Sequence, residues 1–185
     1  SKHESIIFRR DNSYYEKLDG KERCIDAEIP FEIPENWEWS RIGNIFFLQA
    51  GKNIQAAKIK KSPFKNSFLC YGGNGIRGYV EQFNRSGDYP IIGRQGALCG
   101  NINRANGNFY ATEHAICVKT FAGTCVEWAC LFLKALNLNQ YATATAQPGL
   151  SVAKINEILI PVPPLNEQKR ICIKFNSCIE QIELL

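Results

Sequence analysis

The chain has 185 residues, 45% of them hydrophobic, and a formal net charge of +4 at pH 7, so it can build one ordinary core, or one domain with an appendage. It has no stretch of about 18 apolar residues, and its opening segment lacks the apolar core of a leader peptide, which excludes the usual membrane-span and secretory signals. We therefore expect a cytoplasmic protein. The lack of any Met favours a fragment or a trimmed chain.

Residues 1–28 are polar and charged, and they are predicted to be an N-terminal tail or a helical lead-in. A cluster of Pro and Trp follows, which indicates that a folded domain begins near Ile29 and occupies residues 29–164. We expect Trp37 and Trp39 to anchor its core, although their alternation with charged residues also fits an edge strand or a docking turn.

From Arg41 onwards, apolar residues at helical spacing predict a short helix or turn that Gly51 ends. Aromatic and β-branched segments separated by Gly then predict several short strands, in SFLCYGG, GYVEQF, YPIIGRQGALCG and FYATEHAICVKT. The dipeptide Asn106-Gly107 is a strong signal for a hairpin turn between two of them.

Helical character returns at Val126–Leu138, where apolar residues recur at spacings of three and four. Pro148 and Gly149 indicate a loop, Ser151 can cap a short helix, and ILIPVPPL is typical of an exit strand. The predicted fold class is α+β, a compact domain with short twisted strands and a few helices, followed by a C-terminal helix of the coiled-coil type.

The last segment, residues 165–185, carries the most regular pattern in the chain. Its apolar residues recur at steps of four and three, as a heptad seam requires, at Ile171, Phe175, Cys178, Ile182 and Leu185. The helix could pack on its own domain, but the pattern still runs where the chain ends. We therefore favour a partner helix, because an isolated helix needs a cover for its apolar stripe.

The eight Cys residues do not show the spacing of a metal site. Cys70, Cys99 and Cys117 lie in apolar runs and are predicted to be buried free thiols. The closest pairs, at 125 and 130 and at 172 and 178, lack the C-x-x-C spacing that zinc sites use. We expect no metal site.

Signals for catalysis are missing from the sequence. There is no phosphate-binding P-loop, no H-E-x-x-H motif and no recognisable nuclease or methyltransferase cluster, and the two His residues have no evident nucleophile beside them. A non-catalytic protein is the prediction.

Charge and glycine placement point instead to a polyanion. Residues 41–114 hold ten Lys and Arg against three Asp and Glu, and two Gly-rich segments in this region carry Arg, Asn and Gln, which can pair with base edges or phosphates. Tight turns with solvated Arg residues are the simpler alternative, and Glu113 and His114 could equally be a buried polar pair. The candidate DNA-binding residues are Lys52, Asn74, Arg77, Arg94, Gln95, Asn101, His114, Thr145, Gln147 and Ser151.

Several segments in order resemble a known family, the specificity subunits of type I restriction-modification systems. They are IPENWEWSRIG, YGGNGIRGYV, IIGRQGALCGN, ATEHA, NLNQYATATAQPGLSVAKI and IPVPPLNEQKRI. The resemblance implies one target-recognition domain and the start of a conserved spacer helix, which would read half of a split double-stranded DNA target.

The resemblance also implies partners: modification (methyltransferase) subunits, restriction subunits, and a second recognition half or a second copy in a homodimer. No cofactor would bind this chain, whereas S-adenosylmethionine, ATP and Mg²⁺ would be held by the partner subunits. Two other functions stay open, a helix-mediated interaction module without DNA specificity, and a hydrolase that uses Glu113 and His114.

Overall fold

The computed structural model describes residues 5–121, 123–143 and 148–183. It begins with an antiparallel three-stranded sheet, the N-terminal meander, made of Ser5–Arg10 (β1), Ser13–Leu18 (β2) and Lys21–Cys24 (β3). The expected tail or helical lead-in over residues 1–28 is corrected for the described part of that segment. Asp11-Asn12 and Asp19-Gly20 take positive φ at both positions, as tight two-residue hairpin turns require. These dipeptides are the sequence signal for the two hairpins.

The further described strands are Glu38–Arg41 (β4), Phe46–Ala50 (β5), Phe68–Gly72 (β6), Gly75–Val80 (β7), Arg85–Gly93 (β8), Ile102–Ala111 (β9), Ala115–Thr120 (β10) and Leu159–Val162 (β11). The described α-helices are Ile42–Ile45 (α1), Val126–Ala135 (α2), Val152–Asn156 (α3) and Leu165–Glu183 (α4). Mixed sheets with few helices confirm the predicted α+β class.

The central sheet has six strands in the order β5-β10-β8-β9-β6-β7. β6 runs parallel to β9, whereas the other neighbouring pairs are antiparallel. Alternate side chains of β10 enter different core clusters, Ile116 and Val118 on one face and Ala115 and Cys117 on the other. Both faces of β10 are therefore buried, which explains its nearly continuous apolar sequence.

The larger core cluster lies between the central sheet and the helices. Trp128 and Leu133 of α2, Ile155 of α3 and Ile160 of β11 pack into it. β11 pairs with β4, which places Pro161 opposite Trp39. Trp39 is buried, so its predicted role as a core anchor is confirmed, and it lies in a strand as well.

Two local predictions differ from the structure. The short helix expected after Arg41 is present as α1, but it ends at Ile45 and the apolar run continues as β5. Gly51 therefore follows a strand, and pairing with β10 determines that outcome. Asn106-Gly107 lies inside β9 rather than in a turn, because Gly107 pairs with Gly87 of β8 and the ladder continues past both. Gly107 does take the positive φ that favours turns, 81°, yet its partner Gly87 is at 127° and accommodates it.

Several other local predictions are confirmed. The helix expected at Val126–Leu138 is present as α2, and the exit strand is β11. The Ser151 Oγ accepts a hydrogen bond from the Lys154 N at 3.1 Å, as a helix cap does. All eight Cys residues are free thiols, with Cys70, Cys99 and Cys117 buried as expected.

The C-terminal helix α4 packs on the domain at its beginning and leaves it further on. Ile171 is partly buried against the larger core cluster, and Cys172 is buried. Along the predicted seam, Phe175 is 47% exposed, Ile182 is 63% exposed and Cys178 is exposed. Leu185 lies outside the described residues. Within the described residues, no helix is both long and apolar enough to cross a membrane.

Candidate nucleic-acid interface

Four loops come together, and we call them the loop cluster: residues 72–75, 94–101, 112–114 and 148–150. The backbone joins them through hydrogen bonds from Arg94 N to His114 O and from Leu150 N to Arg94 O, both 2.9 Å long. The Asn101 Nδ2 donates to the Asn74 Oδ1 at 3.5 Å. Loops that are far apart in sequence are thus hydrogen-bonded to one another and lie side by side.

Glycines beside the loop cluster allow this close approach. A Cβ on Gly93 would lie 2.1 Å from the Gly73 O, and a Cβ on Gly51 would lie 2.2 Å from the Ala111 O. Any larger residue would push these backbone segments apart. The Gly-rich sequence segments are therefore required for the packing of the cluster, and the polar residues beside them are carried on a close-packed support.

Five of the predicted DNA-binding residues lie in the loop cluster: Asn74, Arg94, Gln95, Asn101 and His114. Asn74 and Gln95 are exposed, and Gln95 is also bridged to Gly149 by backbone pairing. Their side chains can therefore meet a ligand together, which the sequence could not show.

The other predicted residues lie around or outside this group. Lys52 is exposed, and its N donates to the Ala111 O at 3.0 Å, directly before the loop at 112–114. Arg77 is exposed on β7, with its aliphatic stem against Gly72. The Ser151 Oγ already caps α3. Thr145 and Gln147 lie outside the described residues.

Three buried polar atoms beneath the loop cluster have no hydrogen-bond partner among the described residues: Asn103 Nδ2, Thr112 Oγ1 and Glu113 Oε2. The other carboxylate oxygen of Glu113 lies 3.2 Å from the His114 Nε2. The two side chains are 34% and 40% exposed, so the pair is neither wholly buried nor solvated. The sequence does not single out Asn103, because an Asn within an alternating strand gives no sign of which face of the sheet its side chain lies on.

Not every positive charge of residues 41–114, which we call the basic segment, is available to a polyanion. Arg41 pairs with Glu16 of the N-terminal meander and with Glu28, which follows the meander, and Arg104 forms a two-pronged pair with Asp88 at 2.8 and 2.6 Å. The hydrogen bond to Asp88 raises the pKa of Arg104, so the guanidinium stays positively charged and paired with the Asp88 carboxylate.

The remaining positive charges of the segment form a different group. Lys52, Arg77 and Arg94 form no ion pair with any carboxylate of the described residues, and Arg94 Nη1 instead donates to the Glu113 backbone O at 3.5 Å. A lysine-rich loop, residues 52–65, lies along β7, where Lys60 and Tyr79 exchange two backbone hydrogen bonds of 2.9 Å. It protects the edge of β7 and leaves Lys58, Lys60, Lys61 and Lys65 exposed.

The described residues contain no group of three or more His, Cys, Asp or Glu that could hold a metal ion. Among the described residues, the only side-chain partner of His114 is Glu113, so no nucleophile is placed on that imidazole. What the loop cluster offers is a set of guanidinium, amide and imidazole groups, which suits recognition by hydrogen bonding.

Comparisons with known proteins agree with this chemistry. A family model described as "Type I restriction modification DNA specificity domain" matches residues 34–185. The type I restriction enzyme EcoprrI specificity subunit of Escherichia coli is 47% identical over 128 residues, which are 69% of this chain and 32% of that protein. The EcoAI specificity subunit of Escherichia coli is 25% identical over 179 residues, 84% of this chain and 30% of that protein.

Solved structures show the same fold. The S subunit of a type I restriction-modification system from M. genitalium has a TM-score of 0.67 at 19% identity, covering 83% of this chain and 42% of that one. The HsdS subunit from Thermoanaerobacter tengcongensis has a TM-score of 0.64 at 18% identity, covering 84% and 40%. The chain thus spans about one third of the length of these curated relatives.

The resemblance found in the sequence motifs is therefore confirmed, and the match begins after the N-terminal meander and takes in the loop cluster and α4. The chain belongs to the family of type I restriction modification DNA specificity domains.

Proposed function

We propose that this chain reads one half of a split target in double-stranded DNA and does not itself catalyse a reaction. The observation that carries the proposal is the convergence of Asn74, Arg94, Gln95 and Asn101 in one loop cluster. Arg can form two hydrogen bonds with a guanine edge, and Asn and Gln can do the same with adenine, so these side chains suit the major groove.

Positive charges around the loop cluster supply the contacts that do not depend on sequence. Lys52, Arg77 and the lysines of residues 52–65 are exposed and have no carboxylate partner among the described residues. Such charges bind phosphates and fix the position of a protein on the duplex, while base contacts determine the sequence that is read.

The rest of the recognition machinery is proposed to come from other chains or from further sequence. Because the relatives are about three times longer, we propose a second recognition half, or a second copy of this chain, for the other half of the target. Phe175, Cys178 and Ile182 on α4 form the surface for the partner helix. Modification and restriction subunits would complete the assembly and hold S-adenosylmethionine, ATP and Mg²⁺. An interaction module without DNA specificity is not favoured by the family match.

Selection of bound duplexes from a random pool, with the chain and its modification subunit together, tests the proposal. We expect one enriched half-site, and a weakening of binding to it of about 1–3 kcal/mol, or roughly 5- to 150-fold, for Arg94→Ala. Arg10→Ala is the matched control, since it removes the same charge from the N-terminal meander, and it should leave the affinity nearly unchanged.

Two results would contradict the proposal. One is a pool without any enriched sequence. The other is an equal loss of affinity in the Arg94 and Arg10 variants at the same salt concentration, which would indicate attraction to phosphates alone.

A further inference from the structure

The beginning of α4 is tied to the domain by a buried amide. The side chain of Gln168 is completely buried. Its Nε2 donates to the Pro163 O at 2.9 Å and to the Gly123 O at 3.2 Å, and its Oε1 accepts from the Cys125 N at 2.8 Å. One side chain thus joins the end of the exit segment, the loop before α2 and the first turn of α4.

The same face of α4 continues this attachment at steps of four residues. Cys172 is 3% exposed, and the Asn176 Nδ2 donates to the Glu127 Oε1 at 2.8 Å. Glu127 lies in the first turn of α2, so this hydrogen bond joins α4 to the beginning of α2. Further on, Ile179 is 39% exposed and Ile182 is 63% exposed.

We propose that Gln168 is the positioning residue that fixes the direction in which α4 leaves the recognition domain. An apolar residue of similar size would fill the space, yet it would leave the Cys125 N–H and two carbonyl groups without partners. Buried polar groups that lose their partners are costly to keep away from water, so the helix would shift or loosen to let water reach them. The direction of α4 therefore depends on the three hydrogen bonds of this amide.

Because α4 is long, a small change of direction at its first turn becomes a large displacement at its far end. Residues 168 to 183 span about 22 Å at 1.5 Å per residue, so a tilt of about 10° moves the far end by about 4 Å. That displacement is close to the rise of one base pair, about 3.4 Å. This inference rests on the proposed function: Gln168 would determine how the two recognition halves are aligned along the DNA.

The direction of α4 can be measured without DNA, by amide residual dipolar couplings of the ¹⁵N-labelled chain in a dilute aligning medium. In the parent chain one alignment tensor should fit the amides of the sheets and of α4. In Gln168→Leu the sheets should keep that tensor, whereas couplings from residues 173–183 should shrink or require another. Gln140→Leu is the control, because it removes an exposed amide whose Nε2 donates to the Leu136 O of its own segment, and it should behave as the parent.

A second variant separates positioning from a general loss of stability. In Gln168→Glu a carboxylate would face the carbonyls of Pro163 and Gly123, so the common tensor should be lost at neutral pH. Acidification should restore it, because the protonated carboxyl can again donate to a carbonyl while it accepts from the Cys125 N. This variant also serves if Gln168→Leu does not fold.

Unreduced couplings with one tensor in Gln168→Leu would overturn the proposal, as would a loss that acidification does not reverse in Gln168→Glu. Neither outcome bears on DNA reading, which the selection experiment tests by itself. If the tensor is lost as expected but no half-site is enriched, the positioning role stands and the proposed function fails.

Discussion

The role of an individual arginine in this chain depends on neighbours that the sequence does not bring together. Arg41, Arg94 and Arg104 all belong to the same basic segment. In the fold, Arg41 and Arg104 are held by carboxylates, whereas the Arg94 guanidinium, within the described part of the chain, donates to the Glu113 backbone carbonyl. Local charge therefore predicted a candidate region, but it could not separate the arginines that pair with carboxylates from those that do not.

The ion pairs of Glu16 make the free energy of unfolding depend on pH. Glu16 is 3% exposed and accepts hydrogen bonds from Arg41 and Arg23, with that from Arg41 contributing most, and these lower its pKa from 4.5 to about 2. Because the pKa is lower in the folded state, the stabilisation is fully present above pH 4.5 and is lost as the pH falls towards 2. We expect Glu16→Gln to lower the free energy of unfolding at pH 7 by about 2 kcal/mol and to flatten its decrease at acidic pH.

Urea unfolding between pH 2 and 7 measures this effect. Glu22→Gln is the control, since Glu22 is an exposed partner of Arg10 and surface pairs contribute only about 0–1 kcal/mol. If the Glu16 variant retains the full acid sensitivity of the parent, the ion pairs with the N-terminal meander do not contribute the expected stability.

Among the elements, those with a strong local pattern could be predicted and those decided by distant pairing could not. The periodicity of α2 and α4 and the apolar runs of the central strands gave correct elements. Asn106-Gly107 has the local preference of a turn, yet β8 pairs with β9 from Ile102 to Phe109, so the dipeptide lies within a strand. The N-terminal meander is a different failure, because its two turn dipeptides were readable from the sequence.

The packing of the loop cluster depends on the absence of a side chain at Gly93. In Gly93→Ala, the new Cβ would lie 2.1 Å from the Gly73 O, so β8 and the loop at 72–75 must separate. We expect a loss of roughly 1–3 kcal/mol in unfolding free energy, as for other overpacked sites, and a lower affinity for the selected half-site. Thermal unfolding and titration with the half-site duplex measure the two effects.

Gly149→Ala provides the matched comparison within the same loop cluster. A Cβ there would meet its nearest neighbour, the Arg94 O, at 3.8 Å, which is ordinary contact. Its stability should stay near that of the parent. If both variants unfold alike, close backbone approach at Gly93 is not what holds the loops together.

For the molecule as a whole, the sequence predicted which residue types belong to the candidate site but not how they meet. Asn74, Arg94 and His114 come from loops after three different strands, and only the crossing of β6 beside β9 and the hydrogen bonds at Arg94 bring them together. Asn103 and the buried oxygen of Glu113 depend on side-chain direction within that arrangement. The C-terminal helix was easier, because its pattern is local and extends beyond its contacts with the domain.

The exposed stripe of α4 leads to a prediction about assembly. Phe175 and Ile182 lie on the predicted seam at 47% and 63% exposure. Replacing both by Glu would place two charges in a helix interface, so we expect self-association or binding to the modification subunit to be lost in analytical ultracentrifugation. The half-site preference should persist, because neither residue lies in the loop cluster. Asn166→Glu with Gln181→Glu adds the same charge at exposed positions off the seam and should assemble normally. Assembly by the seam variant at parental strength would show that α4 joins its partner through another face.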